Sequence, residues 1–169
     1  MPLPATPDLA TLHQGRELLL GRGLAVLAAW ALLTLLVNGY YLAQAPRRQE
    51  AYYFHGMSVG GGIVNTVLCF WGIWHLQPIA PAGLRLADVL QAQVFNENLF
   101  LLNAGLDVAY IMTGFYLRAL AAVPGQPHPA RVLGFGRALW VQGGVLLVFD
   151  AAMWTLLHGQ GRSWLTLLG

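Results

Sequence analysis

Four long apolar stretches separated by short polar turns dominate the chain. They lie at about residues 23–45, 57–76, 98–120 and 135–158, and each approaches or exceeds the roughly 20 residues that a helix needs to cross a bilayer. Proline occurs in each of the three intervening turns, where it prevents a helix from continuing. The pattern therefore predicts an all-α integral membrane protein, a bundle of four transmembrane helices within residues 23–158.

The ends of the chain are more polar. Residues 1–22 are predicted to hold a tail and a short amphipathic helix that lies in the membrane interface, whereas residues 159–169 are predicted to be a C-terminal tail. His13 is expected to be solvated. Residues 84–98 are amphipathic as well and are expected to continue into the third span. The interfacial pattern rests on Leu9, Leu12, Arg16 and Leu19.

Composition narrows the class of protein. The chain is 57% hydrophobic and 9% charged, with a mean hydropathy of +0.56, whereas a soluble domain carries about 25% charged residues. The net charge of +2 is too small for a nucleic-acid-binding surface. The single cysteine, Cys69, excludes an internal disulfide and a CxxC redox motif. The expected partner is therefore the lipid bilayer and not a nucleic acid.

All nine basic residues are arginines, and their distribution bears on orientation. Five belong to the first and third turns and four to the tails and the second turn. The positive-inside rule then favours cytoplasmic first and third turns, by a margin of one residue. The first group is Arg47, Arg48, Arg118, Arg131 and Arg137, and the second is Arg16, Arg22, Arg85 and Arg162.

Two aspartates interrupt the apolar stretches, Asp107 in the third and Asp150 in the fourth. A carboxylate at the bilayer centre costs about 2.5–3.5 kcal/mol on insertion scales. No arginine is expected at that depth, so two inward-facing aspartates must share a proton, bind a cation or contact water. We expect at least one of them to be protonated at neutral pH.

Helical spacing decides which polar side chains can join the aspartates. Asn103 and Tyr110 share the face of Asp107, and the rise of about 1.5 Å per residue puts Asn65 near the same depth. We predict a ligand-binding cluster near the bilayer midplane. Its members are Asn65, Asn103, Asp107, Tyr110, Gln142, Asp150 and, nearer the first turn, His55. The alternative is structural, because such side chains also join helices, at about 0.6–2 kcal/mol per hydrogen bond.

Histidines offer a different hypothesis. His75 and His158 fall near the ends of the second and fourth stretches, on the same side of the membrane, and two histidines on different helices could hold a haem. Aromatic belts at the interface explain both histidines more simply. No close pair of His or Cys ligands exists for a metal site. The sequence therefore predicts no metal site and no cofactor. Haem held by His75 and His158 is the less favoured alternative.

Short motifs in the second, third and fourth stretches carry a family resemblance. They are Tyr53–Ser58 leading to Asn65, Asn103–Tyr110, and Gly134–Arg137 leading to Gln142–Gly143 and Phe149–Asp150. The chain resembles a family of uncharacterised small bacterial membrane proteins with four spans. It departs from the family's pattern at Gly60 and Gly62, where tryptophan and asparagine are common. The resemblance implies a multi-pass protein of the bacterial inner membrane, and it implies no activity.

Three functions remain open. The first is a protein that binds a proton, a cation or a small polar ligand at the aspartate cluster. The second is an accessory or structural subunit of a larger membrane complex, or a homo-oligomer. The third is a membrane haem or redox protein that uses His55 or the His75 and His158 pair. Since no phosphate loop, serine nucleophile elbow or HExxH motif occurs, the sequence favours a function without catalysis.

Overall fold

The computed structural model describes the backbone of residues 9–168 and the side chains of residues 9–162. Every regular element within that part of the chain is a helix, and short turns connect the helices. They are α1 (Leu9–Gln44), α2 (Glu50–Trp74), α3 (Leu86–Ala121) and α4 (Pro129–Leu168). The all-α fold with four helices is therefore confirmed, and α3 begins inside the amphipathic segment as expected.

Each helix is long and apolar enough to cross a membrane by length and composition. At about 1.5 Å per residue, α2 is roughly 38 Å long, whereas the other three helices reach roughly 54–60 Å. The hydrocarbon core of a bilayer is about 30 Å thick. The excess length of α1, α3 and α4 lies on the side that holds the start of α1 and the end of α4, which we call the terminal side.

The two ends of the chain differ from the prediction. Residues 9–44 form one continuous helix, so the separate interfacial helix predicted within residues 1–22 is wrong for the described part of that range. No proline breaks this helix, and its first turns pack against the rest of the protein. The predicted tail is also wrong, because α4 stays helical as far as Leu168.

The helices pack as two hairpins. Helix α1 lies along α2, and α3 makes the most extensive contact in the molecule with α4. The hairpins meet mainly where α2 runs beside α4, in the same direction. Helix α1 touches α3 and α4 over a smaller area, and no contact between α2 and α3 occurs within residues 9–168. Helix α4 is therefore the central element, with α3 on one flank and α2 on another.

Glycines bring α3 and α4 together at backbone distance. A Cβ atom at Gly114 would lie 2.7 Å from the Gly136 carbonyl oxygen, and one at Gly143 would lie 2.9 Å from the Asp107 carbonyl oxygen. Real Cβ atoms do not approach so closely, so only glycine fits. A similar contact joins α2 and α4, since a Cβ atom at Gly134 would lie 2.6 Å from the Glu50 carbonyl oxygen. We call the α3–α4 contact at Gly114, Gly136 and Gly143 the glycine seam.

The first turns of α1 carry a buried ion pair. Arg16 and Glu17 are only 4% and 9% exposed, and their side chains meet at 3.1 Å. Arg16 also donates to the Val89 carbonyl oxygen at 3.1 Å and to His13 Nδ1. The Gln77 backbone N–H donates to Glu17 Oε2 at 2.8 Å. The pair therefore ties α1 to α3 and to the turn between α2 and α3.

A second polar group lies on the terminal side, between α3 and α4. Gln93 donates through Nε2 to Glu97 and to the Leu157 carbonyl oxygen, and His158 Nδ1 donates to Glu97 Oε2 at 3.0 Å. Deeper in the bundle, an apolar cluster follows. It consists of Phe100, Met153 and Leu157, with Leu19, Leu20, Phe149 and Trp154 packed against it.

Candidate functional site

Asp107 and Asp150 come together between α3 and α4. The two helices are antiparallel, and side chains in a helix lean toward its N-terminus, so the two aspartates lean toward each other. Their carboxyl groups lie within hydrogen-bonding distance of each other. Gly143 permits this arrangement, because its lack of a side chain lets α4 approach the backbone of Asp107.

The pair is deeply buried and incompletely satisfied. Asp107 is 3% exposed and Asp150 is 5% exposed. The Asn103 side chain lies against the Asp150 carboxyl group and interacts with it. Asp107 Oδ2 is buried and has no hydrogen-bond partner within the part of the chain whose side chains are described. One carboxyl oxygen is thus left with capacity for a further proton, donor or cation.

No cation neutralises the pair from its own helices. The nearest arginines on α3 and α4, Arg118 and Arg162, are eleven and twelve residues away along the helix, roughly 16 Å or more. A carboxylate oxygen only accepts hydrogen bonds. Two carboxyl groups can therefore bond to each other only when one of them carries a proton. The arrangement is chemically suited to hold a single proton between two acids.

Asn65 and Tyr110 do not join the pair. Asn65 is half-buried on α2, and among the described side chains it has no hydrogen bond to either aspartate. Tyr110 is 46% exposed. Its Cβ atom lies 3.0 Å from the position that a Cβ atom at Gly143 would occupy. The structure therefore brings three of the seven predicted residues into direct contact, namely Asn103, Asp107 and Asp150.

Gln142 and His55 belong to other contacts. The Gln142 amide lies against Gly61 of α2, and its Nε2 is 3.5 Å from the Met57 carbonyl oxygen. Asp150 is eight residues further along α4, which is about 12 Å. His55 is hydrogen-bonded to Asn38 at 2.8 Å, across the α1–α2 contact. Neither side chain reaches the aspartates.

The two histidines of the haem hypothesis also lie in separate contacts. His75 is exposed and donates through Nδ1 to the Trp71 carbonyl oxygen of its own helix at 2.8 Å. His158 is directed toward Glu97 on α3, and α2 does not touch α3 in the described structure. Within residues 9–162, no group of three or more His, Cys, Asp or Glu side chains is arranged to hold a metal ion.

Sequence reasoning missed the polar residues of the terminal side. His13 was expected to be solvated, yet it is 5% exposed and donates through Nε2 to the Gln77 carbonyl oxygen at 2.7 Å. Gln93 is 3% exposed. The available signal was the i, i+3, i+4 spacing of His13, Arg16 and Glu17, which places all three side chains on one side of α1.

Comparison with known proteins places the chain in a family. Residues 26–151 match the sequence profile of a family of unknown function (DUF6992). The chain belongs to this family. The resemblance inferred from its motifs, to a family without a known activity, is thereby confirmed. All seven predicted site residues lie within the matched range, whereas the buried ion pair on α1 lies before it. Comparison with curated proteins and with solved structures gave no match.

Proposed function

We propose that the chain is an integral membrane protein that crosses the bilayer four times and binds one proton between Asp107 and Asp150. The location that we propose is the bacterial inner membrane, on the strength of the family resemblance. The single observation that carries the proton site is the contact between two buried carboxyl groups with no arginine nearer than eleven residues along α3 or α4.

The outer surface supports the membrane location. Large apolar side chains cover it on every helix; Leu36 of α1, Phe70 of α2 and Val148 of α4 are 73%, 68% and 72% exposed. Monomeric soluble proteins rarely expose contiguous apolar surface of this extent. In a bilayer the same side chains would contact lipid tails, which removes them from water.

The surroundings of the pair favour a proton over a larger ligand. Two cavities among the described residues, one beside His55 at the start of α2 and one on the outer face of α4, are lined by neither aspartate. A divalent cation would require about six oxygen ligands, more than Asp107, Asp150 and Asn103 supply. A proton requires no cavity and only the two acceptors that are in contact.

Infrared spectroscopy of the protein in lipid nanodiscs tests the proposal. We expect one C=O stretching band of a protonated carboxyl group at neutral pH, which shifts on ¹³C labelling of aspartate. Asp107→Asn and Asp150→Asn should each remove the band or change its frequency, because each breaks the contact between the carboxyl groups. The band should disappear reversibly when the medium is made alkaline.

Asp88 provides the matched control, since it lies on α3 like Asp107 but is exposed and paired with Arg85. Asp88→Asn should leave the band unchanged. The absence of a protonated carboxyl band in the intact protein would refute the proposal. A band that no pH change removes would indicate a permanent hydrogen bond between helices, and it would equally contradict reversible proton binding.

A further inference from the structure

A cavity with several charged and polar side chains in its lining lies at the opposite end of the bundle from the terminal side, where α2 begins beside α4. It has a volume of about 470 Å³, within the range of roughly 300–1,000 Å³ that is usual for small-ligand sites. It is lined by Gln49, Glu50, Ala51, Phe54, His55 and Arg137. The aspartate pair does not line it, so this cavity is a separate feature of the molecule.

An ion pair between two helices forms one wall of the cavity. Arg137 of α4 donates through Nη1 to Glu50 Oε1 of α2. The side chains are 58% and 30% exposed. A guanidinium group has five N–H donors and a carboxylate has two oxygens, so both partners retain capacity for a ligand. Because the pair is neutral overall, a simple anion or a simple cation would meet as much repulsion as attraction.

Two consecutive hydrogen bonds determine which ring nitrogen of His55 carries the hydrogen. Asn38 Nδ2 donates to the Thr34 carbonyl oxygen at 2.9 Å, which leaves Asn38 Oδ1 as an acceptor. His55 Nδ1 lies 2.8 Å from that oxygen and must carry the hydrogen. In the neutral ring, Nε2 is then an acceptor. Tyr41 stacks on the imidazole with 5.3 Å between ring centroids, so the ring is held from two sides.

The start of α2 adds donors to the same cavity. Gln49 occupies the N-cap position of α2 but makes no side-chain capping bond. The first backbone N–H groups of a helix have no partner within the helix, and they favour an anion. The cavity therefore offers donors from Arg137 and the α2 backbone, and acceptors from Glu50 and His55.

We propose that this cavity binds a phosphate group that is joined to a primary amine by a short chain, as in phosphoethanolamine. The phosphate contacts Arg137 and the N-terminus of α2, and the ammonium group contacts Glu50 and His55 Nε2. The cavity lies at the end of an apolar helix, at the level of lipid headgroups in a bilayer. The same chemistry occurs in the headgroup of phosphatidylethanolamine and in free phosphoethanolamine.

Native mass spectrometry of the full chain, delipidated in detergent, tests this proposal. The probes are phosphatidylethanolamine and phosphatidylcholine with identical acyl chains, and free phosphoethanolamine as a competitor. Phosphatidylcholine has the same phosphate but no N–H donor. We expect phosphatidylethanolamine to bind about tenfold more tightly, since a hydrogen bond to a charged group is worth that much or more.

Variants separate the two halves of the cavity. Glu50→Gln should reduce the preference for phosphatidylethanolamine, because it removes the charge that faces the ammonium group. Arg137→Gln should weaken the binding of both lipids. Arg131→Gln is the matched control, because Arg131 also belongs to the start of α4 but lies over the Phe135 ring at 5.4 Å and does not line the cavity.

The wild-type comparison between the two lipids needs no variant, so it stands even if Arg137→Gln fails to fold. Equal binding of both lipids would overturn the proposal, as would an unchanged preference in folded Glu50→Gln. Competition by free phosphoethanolamine would support a water-soluble ligand, whereas binding of the lipid alone would support a headgroup site. Neither result depends on the protonation of Asp107 or Asp150.

Discussion

Glu17→Ala should lower the free energy of unfolding by about 3–5 kcal/mol, because it leaves the buried Arg16 guanidinium without its counter-charge. Arg16 is 4% exposed, and Glu17 is the acid that pairs with it. The substitution also removes the acceptor of the Gln77 backbone N–H. Reversible unfolding in mixed micelles with a rising fraction of sodium dodecyl sulfate, followed by circular dichroism, measures the effect.

Two controls separate the buried charge from a general effect of losing an ion pair. Asp88→Ala breaks the pair with Arg85, whose side chains are 79% and 42% exposed, and should change stability little because exposed pairs are screened by water. The double substitution Arg16→Met with Glu17→Met should restore most of the loss, since an apolar pair of similar volume can replace a buried ion pair. A loss for Glu17→Ala no larger than that for Asp88→Ala would contradict the expectation.

Gly114→Ala should destabilise the α3–α4 hairpin by about 1–3 kcal/mol, the usual cost of forcing an extra methyl group into a packed site. The new Cβ atom would lie 2.7 Å from the Gly136 carbonyl oxygen and 2.8 Å from the Trp140 nitrogen. Both are backbone atoms that cannot rotate away, so the helices must separate. The same unfolding experiment measures the loss.

Gly105 and Gly144 provide matched controls on the same two helices, because a Cβ atom at either position would meet no other atom within 4 Å. Gly105→Ala and Gly144→Ala should leave stability unchanged or raise it by up to about 1 kcal/mol, since alanine favours a helix more than glycine does. The expected effects therefore differ in sign between the glycine seam and the open positions. Equal effects at all three positions would show that the close approach of the helices is unimportant.

Much of the fold follows from local pattern. The apolar stretches predicted four helices because a chain of this composition has few other ways to satisfy its backbone hydrogen bonds in a membrane. The meeting of Asp107 and Asp150 also followed, since both lie near the middle of consecutive helices that a short turn makes antiparallel. Their contact required only that Asp107 face α4 and that Asp150 face α3.

It was harder to predict which side chains contact the aspartates. The spacing of residues shows which of them share one face of a helix, but it does not show which neighbouring helix that face packs against. Gln142 is eight residues before Asp150, which at about 100° per residue turns it roughly 80° around α4. Because α4 packs against two helices, Asp150 meets α3 whereas Gln142 meets α2. The sequence could not reveal that α4 is the central helix.

The buried ion pair was missed for a related reason. The spacing of Arg16 and Glu17 suits an interfacial helix as well as a buried one, and the difference depends on what covers it. The covering atoms belong to Gln77 and Val89, sixty or more residues along the chain. A contact of that sequence separation leaves no mark in the local pattern of α1.

The unequal lengths of the helices have a consequence for what each side of a bilayer would present to soluble proteins. On one side the helices end nearly level with one another, in short turns at residues 45–49 and 122–128. On the other, α1, α3 and α4 continue past the end of α2 by about 15 Å or more, and the turn after Trp74 packs against the start of α1 through Gln77. An antibody fragment or a docking protein would thus meet the protruding ends of three helices in one compartment. In the other compartment it would meet only short turns close to the membrane surface.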